Sequence, residues 1–84
     1  MFLDASAIVA ILACEDGWEG LAAKLTAAGP RSVSPLSLWE ATRALYRSYD
    51  MPLEEAERIV RSFARENNAP VVAITDDMAR EAVR

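Results

Sequence analysis

Short apolar segments alternate with longer amphipathic ones along this chain, and the alternation predicts its secondary structure. Apolar segments bounded by turn residues predict strands at residues 2–4 and 71–74, of which the second is the clearest buried strand, and residues 31–34 give a weak strand signal. Apolar positions that recur every three or four residues predict helices at about residues 6–14, 18–28, 34–49, 52–66 and 75–84.

Capping residues mark where the predicted helices begin. Ser6 is predicted to cap the first helix, Asp16 the second, Ser34 or Ser37 the third and Thr75 the last, while Pro52 suits the first position of the fourth. The first helix is apolar on all sides, so we expect it to pack on more than one face. The third and fourth helices each carry one apolar stripe: Leu38, Ala41, Leu45 and Tyr49; then Leu53, Ala56, Ile59, Val60 and Phe63.

Strands separated by helices predict an α/β fold, with a central parallel sheet flanked by helices. Three strands are few for such a sheet, and the last predicted helix leads to no further strand. We therefore expect residues 1–84 to be one incomplete domain, truncated after the third strand and its following helix, with the C-terminal strands and helix of the fold absent.

Composition narrows the class of protein. An apolar fraction of 52% argues against a disordered chain, and no apolar run approaches the roughly 18 residues of a membrane span. Met1 leads directly into the first strand, so we predict no signal peptide. Cys14 is the single cysteine and is interpreted as a small buried hydrophobic residue, which is compatible with a cytoplasmic protein.

Carboxylates are the main side chains of this sequence that could take part in catalysis. The sequence contains no histidine, which excludes Ser-His-Asp and Cys-His nucleophiles, imidazole bases and the usual zinc sites. Thirteen acidic residues against nine basic ones give a net charge of −4, which argues against binding nucleic acid through bulk positive charge. Chemistry directed at a phosphate would therefore need a bound divalent cation.

Asp4 and Glu40 are the candidate catalytic and metal-binding residues. Asp4 ends the first predicted strand beside a helix N-terminus, where open α/β sheets bind their ligands. Glu40 lies on the flank of the apolar stripe of the third helix, so both carboxylates can converge on one Mg²⁺ or Mn²⁺ ion if that helix packs beside the strand. The alternatives are that Asp4 only caps a helix or turn, and that Glu40 is a solvated residue paired with Arg43 or Arg47.

Three segments in order resemble the PIN-domain family, and within it most of all the VapC-type toxins of bacterial toxin–antitoxin pairs: FLDASA at 2–7, SPLSLWEA at 34–41 and VAITDDMA at 72–79. The resemblance implies a metal-dependent endoribonuclease that acts on RNA, forms a homodimer and is blocked by a small cognate antitoxin. By the same resemblance, Asp4 matches the first metal-binding acid of the family, Glu40 its helix acid and Ser6 the hydroxyl residue that supports the first acid.

The sequence departs from the family where it ends. The remaining acids of the family lie on a helix after a fourth strand, which this chain does not reach. Asp76 and Asp77 follow the third strand, which in the family's sheet order lies two strands from Asp4, or about 10 Å at the usual spacing. They are better explained as first-turn acids that compensate a helix dipole. With two acids we expect weak binding of the cation, and these 84 residues alone are predicted to be poorly active or inactive.

Several residues and functions stay open at this stage. Arg43 and Arg47 can contact RNA phosphates or an acidic antitoxin segment, or pair with nearby acids. The aromatic residues Trp18, Trp39, Tyr46 and Tyr49 are interpreted as core or interface packing rather than platforms for base stacking.

A non-catalytic interaction module that binds an antitoxin or a second copy of itself is the main alternative function. A phosphoacceptor receiver domain and an aspartate-dependent phosphatase are disfavoured, because Ser6 stands where either would want a second acid.

Overall fold

The structure, a computed structural model, describes residues 1–73 and contains strands and helices in the predicted alternation. The order is β1 (Phe2–Leu3), α1 (Ala5–Leu12), α2 (Trp18–Ala27), β2 (Ser32–Val33), α3 (Pro35–Ser48) and α4 (Leu53–Glu66). The predicted parallel α/β fold is confirmed. The predicted last helix, including Thr75, lies outside the described residues.

The sheet is parallel and has β2 at its centre. β1 pairs with β2 so that Phe2 lies opposite Ser32 and Leu3 opposite Val33. On the other side of β2, the N–H of Val33 donates to the carbonyl of Pro70 at 3.0 Å, and its carbonyl accepts from the N–H of Val72 at 2.8 Å. The chain near Val71 therefore lies two positions away from β1, in the sheet order that the family resemblance implies.

The third predicted strand is much less regular than its apolar sequence indicates. Up to residue 73 it contributes a single bridge, between Val33 and Val71. Val71 and Val72 are exposed, so the prediction that this segment is the clearest buried strand is wrong for these residues. A run of apolar residues favours a strand, but burial also needs elements that cover both faces of the sheet. Ile74 lies outside the described residues.

Helix boundaries follow the sequence signals with small shifts. Ser34 caps α3, because its hydroxyl accepts a hydrogen bond from the N–H of Ser37 at 3.0 Å. Pro52 is the residue before α4 rather than its first residue, since the helix begins at Leu53. The predicted cap of α2 by Asp16 is wrong: Gly17 takes that position with φ of +87°, a conformation that suits glycine, and no side chain caps the helix.

The apolar stripes of the helices meet in one core. α1 packs against α2 and α3, and α3 packs against α4, so α1 is covered on more than one face as predicted. The buried hydrophobic cluster contains residues from every element: Leu3, Ile8, Val9, Leu25, Val33, Leu38, Ala41, Leu45, Ala56, Val60, Phe63, Ala64 and Ala69. Tyr49 and Leu53, at the ends of their stripes, are exposed instead, because each lies at a helix terminus beyond the contact between α3 and α4.

Cys14 is exposed, so its interpretation as a buried hydrophobic residue is wrong. α1 ends at Leu12, and Cys14 then adopts φ of +52°, the left-handed conformation that commonly closes a helix. The turn directs the side chain away from the core. Within residues 1–73, no helix is long and apolar enough to cross a membrane.

Candidate functional site

Asp4 lies at the carboxyl end of β1, where the chain enters α1. Its Oδ1 accepts hydrogen bonds from the backbone N–H of Ala7 at 2.8 Å and from the hydroxyl of Ser6 at 2.9 Å. Asp4 is therefore the N-cap of α1, with the extended backbone of a capping residue. The prediction that Ser6 caps this helix is wrong, since Ser6 already lies in the first turn and donates its hydroxyl to Asp4.

The capping role of Asp4 leaves part of its carboxylate free. Both hydrogen bonds end on Oδ1, and within residues 1–73 Oδ2 accepts none. The side chain is also exposed. A single carboxylate can thus cap the helix N-terminus with one oxygen and bind a ligand with the other. Capping therefore does not exclude a chemical role.

Glu40 lines the same cavity as Asp4. The cavity is open, has a volume of about 570 Å³ and is bounded by Asp4, Ala5, Ser6, Val9, Glu15, Glu40 and Ala44. The packing of α1 against α3 brings the two acids there, and the small side chains of Ala5 and Ala44 leave room between the helices. The two acids therefore line one cavity through the contact of α3 with α1, and their convergence on one cation stays a prediction.

The alternative that Glu40 pairs with Arg43 or Arg47 is not what the structure shows. Among residues 1–73, the one ion pair joins Arg61 and Glu57 at 3.3 Å, on the outer face of α4. Glu40 is exposed and accepts no side-chain hydrogen bond from this part of the chain. Its carboxylate is therefore available to a ligand in the cavity.

Glu15 is a third carboxylate at this cavity, and sequence reasoning missed it. It follows the end of α1, where the pattern indicates only a helix break. In the structure Glu15 accepts a hydrogen bond from the hydroxyl of Tyr49, the residue that follows α3. This hydrogen bond is the main cause of a raised pKa of Tyr49, with partial desolvation and the charge of Glu15 adding to it. Nothing in the local sequence indicates a contact between residues so far apart.

The donor set fits a hard divalent cation held by few protein ligands. Asp4 and Glu40 supply oxygen atoms, which Mg²⁺ and Mn²⁺ prefer, and Mg²⁺ is commonly held by one or two carboxylates together with water and substrate phosphate. Within residues 1–73, no three Asp, Glu, Cys or His side chains approach closely enough to hold a metal together, so Glu15 does not complete a three-acid cluster. Asp76 and Asp77 lie outside the described residues.

Arg43 and Arg47 are both exposed on α3, close in sequence to Glu40. Neither pairs with an acid in residues 1–73, so the expectation of local ion pairing is wrong there. The aromatic residues Trp39, Tyr46 and Tyr49 are also exposed, so core packing is wrong for them, while their packing in an interface stays a prediction. Trp18 is half-buried. Helix periodicity places Trp39 and Tyr46 on the side of α3 that faces away from α1 and α4.

A comparison with protein families decides between a PIN domain, a receiver domain and an aspartate-dependent phosphatase. The family described as the PIN domain matches residues 1–84. The chain belongs to the PIN-domain family. PIN domains are generally nucleases and typically use divalent metal ions. A search of curated proteins finds no match to this chain.

Assignment to the PIN domain agrees with the geometry at the end of β1. A family of metal-using nucleases accounts for two free carboxylates in one cavity of a chain that has no histidine. The match also excludes the receiver-domain and phosphatase interpretations.

Proposed function

We propose that this PIN domain belongs to a metal-dependent endoribonuclease toxin of a toxin–antitoxin system. The observation that carries the proposal is the shared cavity of Asp4 and Glu40, which come from different elements and both line it beside the carboxyl end of β1. The sequence likeness to VapC-type toxins supports the more specific assignment to a toxin that hydrolyses RNA phosphodiesters.

In this proposal each site residue has a distinct task. Oδ2 of Asp4 and the carboxylate of Glu40 would hold a Mg²⁺ or Mn²⁺ ion between α1 and α3. When bound, such an ion lowers the pKa of water and neutralises charge that develops on a phosphodiester. Ser6 orients Asp4, since its hydroxyl and the N–H of Ala7 hold Oδ1 and leave Oδ2 directed elsewhere. This is the arrangement expected of a metal ligand and the group behind it.

The partners and location belong to the same proposal. A cognate antitoxin would inhibit the enzyme, a second copy of the chain would form a homodimer, and the protein would act in the cytoplasm. The sequence resemblance supports all three. We also expect residues 1–84 alone to be weakly active at most, because two acids hold a hard cation loosely.

Asp4→Asn and Glu40→Gln test the proposal. Asparagine caps helices as well as aspartate does, so Asp4→Asn removes the charge and keeps the helix start. Each variant should lower Mn²⁺-dependent cleavage of single-stranded RNA, measured with protein in excess, by at least about 100-fold, since even groups behind metal ligands contribute about 10- to 100-fold. Mn²⁺ binding, followed by electron paramagnetic resonance of the free ion, should weaken in parallel.

Glu66→Gln is the matched control, because it removes the same charge from an exposed residue at the end of α4, away from the cavity. It should leave both readouts unchanged. Equal cleavage and Mn²⁺ binding by Asp4→Asn and the unsubstituted chain would contradict the proposal. Self-association or antitoxin binding without any cleavage or Mn²⁺ binding would instead favour the non-catalytic interaction module.

A further inference from the structure

The solvent side of α3 carries large side chains that the core does not use. Leu36 is 59% exposed, Trp39 52% and Tyr46 49%, and Arg43 and Arg47 are exposed between them. We call Trp39, Arg43, Tyr46 and Arg47 the aromatic–basic face. Exposed aromatic residues gain little from water contact, so a face that carries two of them is suited to a binding partner.

Helix geometry arranges this face in two rows. At 3.6 residues per turn, Arg43 and Arg47 lie within about 40° of each other around the axis of α3, and Trp39 and Tyr46 within about 20°. The aromatic row therefore runs beside the basic row along the same side of the helix. Along the axis, the two aromatic residues lie about 10 Å apart and the two arginines about 6 Å apart.

The basic row lies between the aromatic row and the candidate site. Glu40 and Ala44 line the cavity of Asp4, and Arg47 lies about 20° from Glu40 around the helix. A partner that crosses the helix from Trp39 and Tyr46 thus passes over the arginines before it reaches the two acids. The face and the cavity form one continuous surface.

The charges on the face are not compensated locally. No acid in residues 1–73 pairs with Arg43 or Arg47, whereas Arg61 on α4 is paired with Glu57. The chain as a whole has a net charge of −4, and Arg43 and Arg47 bring two positive charges together on this side of α3. A patch of this kind attracts anions to one place rather than to the whole surface.

We infer that the aromatic–basic face is a binding site for single-stranded RNA, with phosphates over Arg43 and Arg47 and bases stacked on Trp39 and Tyr46. Proteins that bind single strands combine basic residues that follow the backbone with aromatic side chains on which bases stack. The inference rests on the proposed function, to which it adds the path by which substrate reaches Asp4 and Glu40. The basic row suits the phosphates of a nucleotide chain, and the aromatic row suits its bases. An apolar protein partner would have no use for the basic row.

The test is binding of a fluorescently labelled single-stranded RNA to the 84-residue chain, measured by anisotropy with EDTA present so that no cleavage occurs. Trp39→Ala and Tyr46→Ala should each weaken binding about fivefold or more, because each removes a stacking platform. Trp39→Phe and Tyr46→Phe keep an aromatic ring and should retain most of the affinity. The four side chains are exposed, so unchanged circular dichroism and melting temperature should accompany these effects.

Arg43→Ala and Arg47→Ala should weaken binding of all RNA sequences alike and should each lower the slope of log affinity against log salt by about 1. Arg58→Ala is the matched control, since it removes the same charge from the outer face of α4 and should leave the slope unchanged.

Leu36→Ala distinguishes RNA from a protein partner on this face. Leu36 is the most exposed apolar side chain of α3 and offers no ring for stacking, so RNA affinity should not change. The inference is overturned if the unsubstituted chain does not bind RNA, if the alanine variants at Trp39 and Tyr46 bind as tightly as it does, or if Leu36→Ala weakens binding equally. Normal RNA binding together with Mn²⁺ binding that Asp4→Asn and Glu40→Gln leave unchanged would overturn the proposed function alone. Asp4-dependent cleavage with unchanged RNA binding by the aromatic variants would overturn this inference alone.

Discussion

At the scale of single residues, the side chain of Asp4 combines a structural and a chemical role. Oδ1 caps α1 by accepting from the N–H of Ala7, while Oδ2 accepts no hydrogen bond from residues 1–73, and the residue lines the cavity. Replacement by alanine would remove the cap and the charge together, at a cost in stability of about 1 kcal/mol for the cap. Ser6 separates the two roles, because its hydroxyl contacts the carboxylate without capping the helix.

Ser6→Ala should weaken Mn²⁺ binding about tenfold or more, since groups that orient metal ligands contribute on this scale. The free energy of unfolding should change by less than about 0.5 kcal/mol, because Ser6 is exposed. Mn²⁺ titration and urea unfolding give the two quantities. Ser48→Ala, at an exposed serine at the end of α3, serves as the control. Equal Mn²⁺ affinity of Ser6→Ala and the unsubstituted chain would show that the hydroxyl does not orient Asp4.

At the scale of elements, α1 and α3 pack side by side with one cavity between them. Asp4, Glu40 and Glu15 line this cavity, and Glu15 accepts a hydrogen bond from the hydroxyl of Tyr49. This hydrogen bond holds the end of α1 to the end of α3 across a long stretch of sequence. The raised pKa of Tyr49 reports it, because ionisation of the hydroxyl removes the donor.

Tyr49→Phe should lower the free energy of unfolding at neutral pH, and the difference from the unsubstituted chain should shrink above about pH 10. The pKa of Tyr49 in the folded state lies above its ordinary value near 10, so the stabilisation is fully present below that pH and is lost as the pH rises through the folded pKa. Urea unfolding at neutral and alkaline pH measures the difference. Tyr46→Phe is the matched control, on the same helix and with its hydroxyl exposed. A difference that is the same at every pH would contradict this account of the Tyr49–Glu15 hydrogen bond.

At the scale of the whole molecule, one small core carries the stability of the fold. Ala41 and Ala56 are completely buried, which allows α3 and α4 to approach closely, and Leu45 packs beside them at 2% exposure. A domain of this size buries a modest core, so the loss of a single large side chain removes a considerable part of its stability.

Leu45→Ala should lower the free energy of unfolding by about 2–5 kcal/mol, because it leaves a cavity among α1, α3 and α4. Leu36→Ala makes the same chemical change on the same helix at an exposed position and should alter stability by less than about 0.5 kcal/mol. Urea unfolding of the two variants gives the comparison. Equal losses for both variants would mean that the stripe of α3 does not form the core.

Much of the fold follows from local pattern. The stripes of α3 and α4 predict which face of each helix is buried, and Leu38, Ala41, Val60 and Phe63 are buried accordingly. Alternating strands and helices predict the parallel sheet. Periodicity works here because a helix that packs on one side must repeat apolar residues every three or four positions.

Other features depended on the way in which the chain folds. Asp4 rather than Ser6 caps α1, because the backbone of Asp4 takes the extended conformation required of a cap. Cys14 is predicted to be in the core because its neighbours are apolar. It is exposed because a left-handed turn follows α1. Trp39 and Tyr46 have apolar rings and yet lie on the solvent side of α3, because burial depends on direction around the helix as well as on residue type.

The sequence by itself determined the element order, the parallel fold class, membership of the PIN-domain family and the choice of Asp4 and Glu40 as candidate ligands. Only the tertiary structure brought Glu15 to the candidate site, with Tyr49 hydrogen-bonded to it, and showed Trp39, Arg43, Tyr46 and Arg47 as one exposed face. The physical reason is the separation along the sequence over which each kind of signal acts. Periodicity and capping act between residues a few positions apart, whereas cavities and exposed faces form where helices distant in sequence pack together.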